Sequence, residues 1–165
     1  MNAQELIREL GRTLGGALEL SPAGTCRAAF DNDVVDFEED GASLWIFADL
    51  GSALHREDAS QSLLAANRLG LQTGGATIAL DEERSMFVMH MELWSDMPYP
   101  SFEAKLTLFI KALRWWKEWL ALPPLRNVVN QVRTVEDTGR VEGVADGIME
   151  EVYAPFGMNS GMLKI

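Results

Sequence analysis

The stretch LLAANRLGLQTGGATIAL, Leu63 to Leu80, decides the fold. Leu63, Leu64, Ala65 and Ala66 are all good helix formers. Gly70 stands where such a helix stops, because the residue after the last turn adopts a left-handed conformation that costs glycine little. Gly74 and Gly75 then turn the chain into ATIAL, a short apolar run of strand character. No side chain here is a nucleophile with a base beside it. The glycines do not cradle phosphate either, since they follow a helix and no Lys-Ser/Thr pair closes the loop. The segment is architectural: a helix delivered straight into a strand.

On its N-terminal side, Leu6, Ile7, Leu10 and Leu14 recur at helical spacing until Gly15-Gly16, with Glu5, Arg8, Glu9 and Arg12 between them. Three strand-like runs follow, TCRAAF, VVDFEE and ASLWIFADL, joined at DND and EDGA, both suited to hairpin turns. The third run is apolar on both faces: Leu44, Ile46, Ala48 and Leu50 on one, Trp45 and Phe47 on the other. Such a strand is covered on both sides, by its own chain or by another molecule. Asp58, with Gln61 three residues on, reads as the cap of the middle helix, which the spacing carries through to Gly70.

On the C-terminal side, DEER closes a hairpin from ATIAL to SMFVMHMELW. Phe87, Met89, Met91 and Leu93 share one face of that last strand, and Met86, Val88, His90, Glu92 and Trp94 the other. Ser101 is placed to cap a long helix with Phe102, Leu106, Phe109, Ile110, Leu113, Trp116 and Leu120 on one stripe. Beside it runs a second stripe, Leu108, Ala112, Trp115 and Trp119. Pro123-Pro124 ends it. The chain is thus an α+β fold: a five-stranded, mostly antiparallel sheet with three helices in the order α-βββ-α-ββ-α over residues 1–122. Residues 123–165 form a C-terminal extension, partly helical or flexible, with weak helical patterns at Leu125–Val135 and Val141–Val152.

The 165 residues carry a net charge of −11. Between Asp31 and Asp58 there are nine acidic residues against one basic residue, Arg56. This field disfavours nucleic acid and anionic membranes as partners; the acidic block reads first as a solvated face that keeps the protein soluble and, as the less common alternative, as a surface that attracts a basic partner. No apolar run is long enough to insert in a membrane, and the N-terminus lacks the pattern of a secretory signal. A single cysteine, Cys26, fits a reducing, cytoplasmic compartment.

Chemistry-bearing patterns are scarce. His55 and His90 have no partner at metal-ligand spacing, and DNDVVDFEED fails as a calcium loop because Val35 and Asp36 occupy the positions that need a ligand and a glycine. Cys26 has no base near it in sequence. No catalytic, cofactor or metal site is assigned. An enzyme using His90, Glu92 or the acidic block is a distant rival. What stands out is surface: five Trp, seven Phe and eight Met, residue types enriched where proteins meet adaptable partners.

The ordered set of LIRELGRTLGG, the meander TCRAAFDNDVVDFEEDGASLWIFADLG, the unit SLLAANRLGLQTGGATIALDEERSMFVMHMEL and a long helix with paired Trp115-Trp116 resembles the type III secretion chaperones of the Tir chaperone (CesT-like) family. The likeness spans Leu6 to Leu122. It implies a homodimeric, non-enzymatic cytoplasmic chaperone that binds N-terminal segments of secreted effector proteins, keeps them competent for secretion and brings them to the export apparatus, with the export ATPase a further partner. It also implies a dimer interface at Leu63, Leu64, Asn67, Ile78 and Leu80, and effector contacts at Trp45, Phe47, Val88 and Trp94. The extension past the long helix resembles the larger, broad-specificity chaperones. A regulatory protein of the same fold, sequestering a transcriptional regulator or a partner chaperone, presents the same dimer and is the alternative.

Overall fold

The computed structural model describes residues 1–123, and the helical patterns expected beyond Pro124 lie outside the described residues. The elements are α1 (Ala3–Thr13), β1 (Thr25–Phe30), β2 (Asp33–Asp40), β3 (Ser43–Ser52), α2 (Ser60–Ala66), a 3-10 turn at Arg68–Gly70, β4 (Thr77–Asp81), β5 (Met86–Trp94) and α3 (Tyr99–Ala121). The strands lie in the order β1-β2-β3-β5-β4 and every neighbouring pair is antiparallel. This is the expected α-βββ-α-ββ-α arrangement.

Alternation along the strands sorts the side chains. Val35 and Phe37, Leu44, Ile46 and Ala48, and Phe87, Met89, Met91 and Leu93 are buried on one face of the sheet. They pack with Leu6, Ile7 and Leu10 of α1 and with Phe102, Leu106, Phe109, Leu113 and Trp116 of α3 in a single core. Burying each large side chain of this kind contributes about 1.5–3 kcal/mol, so the sheet holds its helices chiefly by this face.

Four helix boundaries differ from the sequence reading: α2 stops at Ala66, not at Gly70, because Asn67 caps it and Leu69 turns left-handed within the 3-10 turn that follows. Asp58 does not cap α2; the helix starts after Ala59 with no side-chain cap. Arg56 explains why: it stacks on Trp119 and donates to the Leu120 carbonyl at the end of α3, and it draws the Asp58 carboxylate into an ion pair at 3.3 Å. Ser101 does not cap α3 either. The helix begins at Tyr99, with the Pro98 carbonyl accepting from the Ser101 and Phe102 N–H groups and Pro100 inside the first turn, where its missing N–H costs nothing. At the end of α1, Leu14 is the C-cap and is exposed rather than part of the buried stripe. That helix opens with a reciprocal cap, the Asn2 side chain accepting from Glu5 N–H and the Glu5 carboxylate from Asn2 N–H.

The loop at Thr73–Gly75 accounts for the glycines of the opening stretch. Gly74 has φ +64°, and a Cβ there would lie 2.6 Å from the Leu108 carbonyl oxygen of α3. The Trp116 indole N–H donates to the Gln72 carbonyl at 2.9 Å. Backbone meets backbone here, so the residue that fits is the one without a side chain.

Candidate partner-binding site

The sheet's second face carries no helix or strand among the described residues, and that is where the second apolar stripe of β3 ends up. Trp45 and Phe47 stack, with ring centroids 6.1 Å apart and planes within 20°. His90 of β5, directly across from Phe47, lies 5.8 Å from the Trp45 ring and 6.3 Å from that of Phe47. Val88 is on the same face opposite Asp49. Trp94 is 66% exposed at the other end of β5, opposite Ser43, and none of the described ring pairs includes it. Of the four residues expected to contact a partner, the structure thus brings Trp45 and Phe47 together, places Val88 two positions from His90 and leaves Trp94 apart. His90 is the member that sequence reasoning missed. Its sequence spacing points to no metal site, and its place in this cluster depends on the β3–β5 register.

Charges flank the rings. Glu38 of β2 and Glu92 of β5 stand opposite Trp45 on either side, and Asp36 stands opposite Phe47. Arg27 holds both Asp36 oxygens, at 2.6 and 3.0 Å, and Ser43 donates to Glu92. Burial among the rings lowers the His90 pKa, which keeps the imidazole neutral near neutral pH. Burial also raises the Cys26 thiol above its ordinary value, leaving it a poor nucleophile. Two shallow depressions share Glu38 and Phe47: one of about 290 Å³ bounded also by Asp40, Trp45 and His90, and one of about 450 Å³ reaching Arg27 and Asp36. Among the described residues no group of three or more His, Cys, Asp and Glu is placed to hold a metal ion. The arrangement presents rings and carboxylates that can bind a partner.

The residues expected at a dimer interface separate into two kinds. Leu63 and Ile78 are 3% and 5% exposed and belong to the core. Asn67 turns its amide toward the outer edge of β4, donating to the Ile78 carbonyl at 2.9 Å and accepting from the Ile78 N–H at 2.8 Å. Leu64 and Leu80 point outward, 70% and 51% exposed. Leu69 and Leu71, which sequence reasoning passed over, are more exposed still, at 82% and 73%. Leu69 has φ +62°, a left-handed conformation that strains a residue with a branched side chain. The signal for both was available: apolar residues flanking a turn glycine have no core to enter.

The two edges of the sheet are unequal. Asn67 occupies the outward N–H and C=O of Ile78, so the β4 edge is closed at its middle. On β1, Ser21 occupies the N–H and C=O of Thr25 at the start of the strand, while ladder alternation turns those of Arg27 and Ala29 away from β2, where no described strand pairs with them.

This geometry has relatives. A chain of the HopA1–SchA chaperone–effector complex superposes with a TM-score of 0.60 at 21% identity, covering 69% of this chain and 91% of that one. A chain of the ExsC–ExsE complex gives 0.61 at 19% identity, covering 72% and 96%. The Yersinia pestis type III secretion chaperone SycH, in complex with a fragment of YscM2, gives 0.57 at 19% identity, covering 69% and 98%. At these identities the likeness is one of fold. No curated protein matches the chain in sequence. Residues 5–117, however, match the Tir chaperone protein (CesT) family, whose type III chaperones are non-enzymatic. The chain belongs to that family and is a binding protein, not an enzyme.

Proposed function

We propose that this protein is a cytoplasmic chaperone that holds N-terminal segments of type III secreted effectors in an extended form and delivers them to the export apparatus. Residues 1–122 are the chaperone domain and 123–165 an extension of it. The observation that carries this reading is the sheet face that no described helix or strand covers, with Trp45, Phe47 and His90 on it, next to the Arg27–Ala29 edge of β1, with which no described strand pairs. An extended peptide gains main-chain hydrogen bonds by adding to a free edge, and selectivity from side chains laid on the adjoining face. Trp45, Phe47 and Val88 are the inner contacts in this reading, and Trp94 an outlying one. The described residues contain no helix long and apolar enough to cross a membrane.

The working unit is a homodimer. Leu64 and Leu80 supply its contact surface together with Leu69 and Leu71, while Leu63, Asn67 and Ile78 hold that surface in shape from within. Exposed leucines concentrated in one helix–turn–strand unit are what an unpartnered interface looks like in a single copy. The export ATPase is the further partner to which the loaded dimer is brought.

The test is a pull-down of the tagged chain from its native bacterium under secretion-inducing conditions, with partners identified by mass spectrometry and mapped by truncation. Secreted proteins retained through their N-terminal segments support the reading. Retention of a transcriptional regulator alone, or of no protein at all, would overturn it.

A further inference from the structure

We infer that the Trp45–Phe47–His90 face recognises arginine, so that the partner segment lying on it is one that places an arginine side chain over these rings. This rests on the chaperone reading above for the identity of the partner, and on the following observations for its chemistry.

Trp45 is half-buried on the outer face beside Phe47 and His90, with a carboxylate directly across from it on each neighbouring strand, Glu38 on β2 and Glu92 on β5. An aromatic face is negative at its centre, so carboxylates on both sides add to the same field. The obvious cation of this chain is not there. Arg27 is committed to both oxygens of Asp36, and Arg84 to Asp49 and Asp81. The cation found over an aromatic ring among the described residues is Arg56, against Trp119 of α3. Glu38 and Asp40, both exposed at the rim of the 290 Å³ depression, have no ion-pair partner among the described residues. The face is therefore complementary to a positive charge, and the net charge of −11 draws such a partner in.

Arginine fits better than lysine. Its planar guanidinium can lie flat on a ring while its edge N–H groups reach carboxylates alongside, whereas an ammonium is a strongly hydrated point charge. Glu38 and Asp40 lie two residues apart on β2, so both side chains project from the same face toward a group above Trp45. An apolar partner residue would satisfy the rings and leave the two carboxylates unused.

The experiment uses the full chain and two ten-residue fluorescent peptides. One alternates valine and arginine; the other has citrulline, the same shape without the charge, at every arginine. The arginine peptide is expected to bind at least tenfold more tightly by fluorescence anisotropy. Glu38→Gln with Asp40→Asn should cut that preference to about twofold or less. Glu82→Gln with Glu83→Gln, which removes two exposed charges at the β4–β5 turn instead, should leave most of it. Trp45→Ala should abolish it while circular dichroism stays unchanged. Equal binding of the two peptides overturns the inference, and so does a preference lost equally in both double variants, which would mean attraction to net charge alone. Peptide preference and effector capture are separate readouts. Effectors captured without arginine preference would sink this inference and spare the chaperone reading; preference without captured effectors would do the reverse.

Discussion

Asp33 shows how one side chain can tie two layers of this protein together. It is buried at the start of β2, and its two oxygens accept from Arg114 and Lys117 of α3, each at 2.8 Å. Burial by itself raises the pKa of this carboxyl, but the hydrogen bonds and charges of Lys117 and Arg114 outweigh it and hold the group below its ordinary value. A carboxyl depressed in the folded state stabilises the fold above its unfolded pKa, near 3.9, and loses that contribution as pH falls through the folded value. Asp33→Asn is therefore expected to cost about 1–3 kcal/mol at pH 7. In urea titrations the gap between wild type and variant should shrink as pH drops below about 4. A gap independent of pH would mean that the charge is not what matters. Gly74 is the second single-residue case. Alanine there meets both a left-handed backbone and the Leu108 carbonyl, so Gly74→Ala should destabilise by about 2–4 kcal/mol. Thermal unfolding of the variant at an unchanged temperature would show that α3 gives way freely.

At the scale of elements, Asn67 does for β4 what a neighbouring strand would do. Asn67→Ala removes both hydrogen bonds to Ile78 and is expected to cost about 1–2 kcal/mol, with faster hydrogen exchange at the Ile78 amide read by NMR. Unchanged exchange there would mean that another group already covers the edge. The same asparagine marks where the sequence stopped being readable. The strands were legible because alternation is a local property: Leu44-Trp45-Ile46-Phe47 gives β3 and both its faces without reference to anything distant. The ends of α2 and α3 were not, because Asp58 follows Arg56 to the far end of α3 and Pro98, not Ser101, starts that helix. At α2 a tertiary contact of Arg56 overrides the local cap, and at α3 the two prolines start the helix before Ser101 is reached. The site was half legible for a related reason. Trp45 and Phe47 declare themselves as a second apolar stripe, while His90 joins them only through a cross-strand register that no local pattern specifies.

At the scale of the molecule, the two faces of the sheet divide the work. One is spent on the core; in the proposed reading the other, with the Arg27–Ala29 edge of β1, receives a partner, and the exposed leucines around α2 and β4 receive a second copy. Leu64 is exposed in the single chain, so Leu64→Asp should leave its fold intact while halving the mass seen by light scattering. A dimer of unchanged mass would place the interface elsewhere. The central claim is that an extended effector segment lies on the open face and pairs with β1. It is tested most directly by hydrogen–deuterium exchange of the chain alone and with its captured segment. The account predicts marked slowing at the outward amides of Arg27 and Ala29 on binding. Amides there that exchange as fast as before, with protection confined to other surfaces, would contradict it.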